Sequence, residues 1–158
     1  PSQDVVFEDF NYQDRQRIYD VFLRSRELEW DEETVNALDT INTILSKRNL
    51  QFAYRVRNEI LKFMGNSSSL LEKHTALDLQ ILQKILPRLD GTKEQVEKIL
   101  VELLSLFLVI GVEDLPKSQE LYTIDMSKYK GCLWPRSAKK TARMIARVRE
   151  DGVVTFYE

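Results

Sequence analysis

Apolar residues recur every three or four positions along most of the chain, which is the spacing of a helix with one buried side. The stripe Val35, Leu38, Ile41 and Leu45 predicts one such helix. The same spacing predicts helices over residues 13–26, 53–64 and 70–86, another that begins near Thr92, and a final helix that Ser137 caps and that runs to about Glu150. Residues 1–12 hold apolar side chains without a helical period and predict an extended lead-in.

Capping and stop signals set the expected ends of these helices. Asp31 precedes an acidic first turn. Its carboxylate can accept hydrogen bonds from the unpaired N–H groups at the start of a helix. The glycine in MGNSSS predicts a stop at residue 64, and Pro87 predicts the next stop. Thr92 and Gln95 have the spacing of a capping box, so we expect a helix to start there.

The residue pattern changes after Gly111: the helical spacing of apolar residues ends, and prolines and tyrosines become frequent. This region predicts a short strand over Leu121–Ile124, and VVTFY at 153–157 predicts a second strand after a turn. The predicted fold class is mainly α: a helical bundle of about five helices, then a small α/β appendix with a final helix and short strands. The domain boundaries we expect are 1–12 for the lead-in, 13–112 for the bundle and 113–158 for the appendix with its basic helix.

Composition agrees with a water-exposed globular domain. The chain has 158 residues, of which 43% are hydrophobic and 30% charged, close to the usual values for such domains. No apolar run approaches the roughly 20 residues of a membrane span, and no signal peptide is recognised at the start. Cys132 is the single cysteine, so an internal disulfide is excluded. We therefore expect a cytoplasmic protein with no membrane partner.

The charges are unevenly distributed along the chain. Residues 1–40 hold eleven acids against four arginines, whereas residues 128–149 hold eight basic residues and no acid. On the final helix the apolar positions Ala138, Ala142, Ile145 and Val148 share the inward face. The outer face gathers the basic residues Arg136, Lys139, Lys140, Arg143 and Arg147. These cations are either simply solvated or bind the phosphates of DNA. The aromatic residues Tyr122, Tyr129 and Trp134 lie nearby in sequence and are candidates for base stacking.

No complete catalytic site is present in the sequence. A phosphate-binding loop G-x-x-x-x-G-K-[ST] does not occur, and one histidine with one cysteine cannot form a zinc site. His74 lies on an apolar stripe with Leu70, Leu77 and Ile81, which favours a packed histidine at a helix start. We therefore assign no catalytic residue and no metal ligand, and we do not expect this chain alone to be an enzyme.

The predicted helix over 53–64 raises a separate question. Its first turn carries Arg55 and Arg57, although a helix N-terminus is already electropositive. Arg55 can form an i,i+4 ion pair with Glu59, which is the ordinary role of such a residue. The alternative is that one of the two arginines reaches for an anion outside the helix.

Three ordered segments resemble the C-terminal part of McrB-like AAA+ NTPases. FAYRVRNEI at 52–60 is similar to a family phrase of the form GYRVRDEI, and ALDLQILQKILPRLDG at 76–91 is similar to DLQIxQKILPRLxG. WPRSAKKTARMIARVREDGVVTFY at 134–157 resembles YPRSxxKLxxMxxxLxxxGFxSF. The departures are mild, for example Ala53 in place of glycine and Thr141 in place of leucine. The resemblance covers most of residues 35–158.

The resemblance implies that the bundle is an AAA+ lid and that a separate α/β core of the same protein binds the nucleotide. That missing core would hold ATP or GTP with Mg²⁺, so this chain has no cofactor of its own. An arginine at the start of a lid helix would sense the γ-phosphate; Arg55 is the best candidate by motif position and Arg57 is the second. Independently of the resemblance, the place of Asp78 inside an apolar helix predicts that it pairs with a basic group such as Arg57. Such proteins form homo-oligomeric rings that work with a nuclease subunit in restriction of modified DNA.

Two further roles follow from the charged surface. Lys84 and Arg88 lie around the end of the predicted 70–86 helix. Their positive charges there either interact favourably with the helix dipole or contribute to a subunit interface. If the chain is not a lid, the basic final helix predicts a DNA-binding module. The third hypothesis for the function, after the lid and the DNA-binding module, is a helical protein-interaction domain.

Overall fold

Five α-helices make up most of the residues that the computed structural model describes, which are 31–157. They are α1 Glu32–Ser46, α2 Tyr54–Ser67, α3 Lys73–Gln80, α4 Lys93–Leu108 and α5 Pro135–Asp151. Short helical turns cover Ile81–Ile85, which is π-helical, and the 3₁₀ segments Leu86–Arg88, Val112–Asp114, Ser118–Glu120 and Met126–Lys128. Two strands, β1 Gly91–Thr92 and β2 Val153–Val154, complete the list. The predicted lead-in 1–12 and helix 13–26 lie outside the described residues.

The predicted fold class is confirmed: the described chain is mainly helical, with two short strands. Helix α4 packs along α5, while α3 contacts both α2 and α5. Phe107 of α4 is fully buried and meets the Trp134 ring edge-on, with centroids 5.8 Å apart. The predicted inward face of α5 is also buried, and consists of Ala138, Ala142, Ile145 and Val148.

The two strands join the end of the chain to the start of α4. They pair antiparallel, with Gly91 opposite Val154 and Thr92 opposite Val153. The Lys93 amide donates to the Gly152 carbonyl at 2.8 Å, which extends the contact. The predicted strand at 153–157 is therefore confirmed in its first two residues. The predicted strand over 121–124 is wrong: a 3₁₀ turn precedes this segment, and within residues 31–157 no strand pairs with it.

Two predicted helix ends are also wrong. Helix α2 continues through Gly65 to Ser67, since Gly65 keeps a helical φ and the glycine does not act as a stop. Helix α3 begins at Lys73 rather than at residue 70. The Glu72 carboxylate accepts from the amides of the second and third residues of α3, each at 3.0 Å, and so caps the helix. Leu70 is 83% exposed and lies outside it.

Helix α3 does not run unbroken to Pro87 as the sequence predicts. The α-helical hydrogen bonding ends at Gln80, and the wider π-helical turn Ile81–Ile85 follows before the 3₁₀ segment that contains Pro87. Proline lacks an amide hydrogen and its ring clashes with the carbonyl four residues earlier, so it disturbs the α-helical pattern on its N-terminal side. The α-helix therefore ends earlier than expected, and its hydrogen-bonding pattern changes over several residues before Pro87.

Asp78 links α3 to the start of α5. Its side chain is 3% exposed, and its two carboxylate oxygens accept from the amides of Arg136 at 2.9 Å and Ser137 at 2.8 Å. The Ser137 hydroxyl donates to the Asp78 backbone carbonyl at 3.0 Å. Two predictions are corrected here. Helix α5 begins at Pro135, before Ser137, and the cap comes from Asp78, which does not pair with Arg57.

We predict that Asp78→Ala destabilises the fold by about 2–3 kcal/mol, because one buried and one part-buried amide lose their acceptor. Asp78→Asn keeps one acceptor oxygen and should lose less. Chemical denaturation followed by circular dichroism measures both. Asp114→Ala, at an exposed aspartate, is the control and should change stability by about 0.5 kcal/mol or less. Equal stability of the Asp78→Ala variant and the control would contradict the assignment.

Candidate functional site

Arg55 is the second residue of α2 and projects away from the bundle. Its side chain is 88% exposed, and its Nε lies 3.2 Å from Oε1 of Glu59. The ion pair that the helical spacing allowed is therefore formed. Because the guanidinium is at the surface, an anion outside the bundle can reach it.

Glu59 is shared between two cations. Its second oxygen, Oε2, lies 3.2 Å from Nζ of Lys84. The hydrogen bond from Lys84, followed by that from Arg55, lowers the pKa of the Glu59 carboxyl below its ordinary value. The positive charge of Arg55 is thus partly balanced. Lys84, predicted as an interface candidate, contributes to this surface cluster.

Arg57 differs from Arg55 in exposure and in partner. Its side chain is 26% exposed, and its Nη2 lies 3.3 Å from Oδ1 of Asp39 on α1. Its Nε is buried and has no hydrogen-bond partner among the residues described. The second sensor candidate is therefore turned towards a neighbouring helix, while the first faces solvent.

A cleft of about 600 Å³ lies beside the first half of α5, and we call it the basic cleft. One side carries four of the five cations that the sequence grouped together. The lining residues are Arg136, Lys139, Lys140 and Arg143 from α5, and Leu82, Tyr122, Thr123 and Ile124 from other segments. The fifth cation, Arg147, does not line the cleft, and its Nε lies 3.6 Å from Oδ2 of Asp151.

The charges in the basic cleft are not balanced by acids. Within residues 31–157 none of its four cations forms an ion pair, and no lining residue is acidic. Burial, together with Arg143 and Arg147, lowers the pKa of Lys140, whose ammonium lies 4.6 Å from the centre of the Phe156 ring. A second cation near a partly buried ammonium is unfavourable, so an anion in this cleft would relieve the repulsion.

Tyr122 forms one boundary of the basic cleft. Its hydroxyl donates to Oε2 of Glu150 at 2.6 Å, and this bond raises the pKa of the phenol. The same residue also lines an adjacent depression of about 510 Å³, together with Ala146 and Arg149. Of the other two stacking candidates, Trp134 is instead buried against Phe107, and Tyr129 is half-buried and is not among the residues that line the basic cleft.

The remaining candidates are dispersed. Arg88 is exposed at the end of its 3₁₀ turn and forms no ion pair within the described part of the chain. His74 is the second residue of α3, so its predicted place at a helix start is confirmed, but its side chain is 30% exposed and the predicted stripe with Leu70 does not form. Its Nε2 lies 3.9 Å from Oε1 of Glu33. Between residues 31 and 157, His, Cys, Asp and Glu side chains form no group of three that could bind a metal ion. In the same range every helix is too short or too polar to cross a bilayer.

We predict that replacing Lys84 by Met raises the pKa of Glu59 towards the ordinary value. Arg55→Met should raise it less, because the Lys84 hydrogen bond is the larger influence. A carbon-detected NMR titration of the Glu59 carboxyl measures the change, with Lys62→Met as a control outside the cluster. If Glu59 has the same pKa in all variants, the cluster does not form in solution.

Comparison with known proteins gives one result that covers nearly the whole chain. Searches of curated proteins and of solved structures returned no match. A family model described as a domain of unknown function (DUF8727) matches residues 9–154. The chain therefore belongs to the DUF8727 family.

Proposed function

We propose that this chain is the non-catalytic helical lid of a McrB-like AAA+ NTPase of the cytoplasm. It would cover and sense ATP or GTP with Mg²⁺ held by a separate core, and support ring assembly with a nuclease subunit in DNA restriction. The observation that supports this most is how the three resembling segments meet. The second contains Asp78, whose carboxylate binds the backbone at Arg136 and Ser137 of the third. The first segment lies on α2, which contacts α3.

Two arginines fit the role of a sensor that approaches a nucleotide from outside the bundle. Arg55 and Arg136 are each the second residue of a helix, and both are exposed. Arg57 is less suitable, since its side chain is only 26% exposed, against 88% for Arg55, and its Nε is buried. A guanidinium suits this task because it is permanently charged and presents a fork of donors to phosphate oxygens. Lys84 and Arg88 remain the candidates for contact with a neighbouring subunit.

We predict that Arg55→Ala or Arg136→Ala, in the intact protein that carries the core, lowers NTP hydrolysis by about 10²-fold. This is the usual effect of removing one donor to a developing negative charge. Hydrolysis assays and ring assembly by light scattering measure the effect, and Lys62→Ala is the surface control. Full hydrolysis in both arginine variants would contradict the sensor role, as would an upstream sequence without a phosphate-binding loop.

The second candidate function is nucleic-acid binding through the basic cleft. The specific observation in its favour is the absence of acidic partners for Arg136, Lys139, Lys140 and Arg143 within the described residues. Cations without internal partners can neutralise phosphates directly, and the released counterions make such binding depend steeply on salt.

We predict that the chain binds DNA at low salt and that the triple variant Lys139→Gln, Lys140→Gln, Arg143→Gln binds much more weakly. The slope of log affinity against log salt should become shallower by roughly 2–3, since each lost phosphate contact removes about 0.7–0.9. The matched control is Arg48→Gln, Lys62→Gln, Lys98→Gln, which removes the same charges at exposed positions elsewhere. Equal weakening in both triple variants, or no binding at low salt, would exclude the cleft as a DNA site.

A further inference from the structure

Other segments of the chain lie on both sides of the basic face of α5. One side of the helix is buried in the bundle, and the far wall of the basic cleft is formed by Leu82 and the segment 122–124. A helix that reads the major groove of a duplex must fit a groove about 12 Å wide with its contact face free. Helix α5 therefore does not present its cations as a free-standing recognition helix would.

The basic cleft combines a charged surface with an apolar one, and a ligand that fills it would have to contact both. Its four cations suit phosphate groups, whereas Leu82, Ile124 and the Tyr122 ring offer apolar and aromatic surface within the same cavity. A single strand of nucleic acid exposes both phosphates and the faces of its bases, while a duplex keeps its bases stacked inside.

Tyr122 is positioned to stack on a base. It is 40% exposed, and the hydrogen bond from its hydroxyl to Glu150 holds the ring at the boundary between two depressions. Glu150 also brings negative charge into the second depression, so the purely cationic surface ends at Tyr122. Phosphates would therefore bind the cations on one side of the Tyr122 ring. The ring itself lies at the end of this row of cations, where a base can contact it.

We infer that the basic cleft binds a single-stranded segment of nucleic acid, with its phosphates on the four cations and a base against Tyr122. This inference rests on the nucleic-acid candidate proposed above and goes further, because it specifies the form of the strand. The same phosphate chemistry occurs in free nucleotides, which the experiment below separates.

The test uses the 158-residue chain and fluorescence anisotropy with a labelled single strand and a labelled duplex of the same length and sequence. We expect the single strand to bind at least tenfold more tightly at low salt. Tyr122→Ala should weaken single-strand binding by at least about fivefold, because stacking on an aromatic ring contributes about that much per base. Tyr122→Phe keeps the ring but loses the hydrogen bond to Glu150, so it should weaken binding less than Tyr122→Ala does. Thermal melting confirms that both variants are folded.

The remaining outcomes separate this inference from the function on which it rests. Equal affinity for single strand and duplex, or no loss in Tyr122→Ala, would overturn the inference and leave DNA binding in place. No binding of either form would exclude both. If neither nucleic acid binds but ATP does, and the triple variant of the cleft loses ATP binding, the cleft is a nucleotide site and the inference is also overturned.

Discussion

The contact between the Asp78 carboxylate and the first amides of α5 organises the rest of the described structure. It fixes the start of the basic helix against α3, and the π-helical turn that follows α3 supplies Leu82 to the opposite wall of the cleft. A helix start commonly binds anions through its free amides. Here the amides of Arg136 and Ser137 are already used by an internal carboxylate, so an external phosphate would depend on the side chains of α5.

Among the described residues, the cations proposed to bind phosphate fall into two groups with different consequences for binding. Arg55 and Arg57 each have an acidic partner, Glu59 and Asp39 respectively. An incoming phosphate must compete with those carboxylates. The cations of the basic cleft have no acidic partner in residues 31–157, and the lowered pKa of Lys140 reflects burial and the repulsion from neighbouring arginines. Binding of an anion there breaks no internal ion pair.

The features that the sequence predicted correctly are those that depend on near neighbours in the chain. Helical spacing predicted the described helices and the buried face of α5, and the Gln95 side chain does accept the Thr92 amide at 2.9 Å, as a capping box requires. Helix ends were less predictable because competing local signals exist. Gly65 stays helical, whereas Val109, the residue that follows the end of α4, takes the left-handed conformation that a β-branched residue rarely adopts.

Other missed features depend on residues far apart in the chain. The partner of β2 lies some 60 residues earlier, and the acceptor for the start of α5 lies 58 and 59 residues before the amides it binds. A buried aspartate in an apolar helix signals a need for donors, but the sequence does not say which donors meet it. The grouping of cations on α5 was predictable from periodicity, whereas the opposite wall that makes it a cleft was not.

The central claim is that the cations of α5, held in place by Asp78, form a phosphate-binding surface. An NMR titration of the chain with tripolyphosphate tests it most directly, because this ligand carries the shared chemistry without a base or a sugar. The account predicts saturable shifts at Arg136, Lys139, Lys140 and Arg143, and weaker binding in Asp78→Asn. Shifts spread evenly over all exposed lysines and arginines, with no saturation at the cleft, would contradict it.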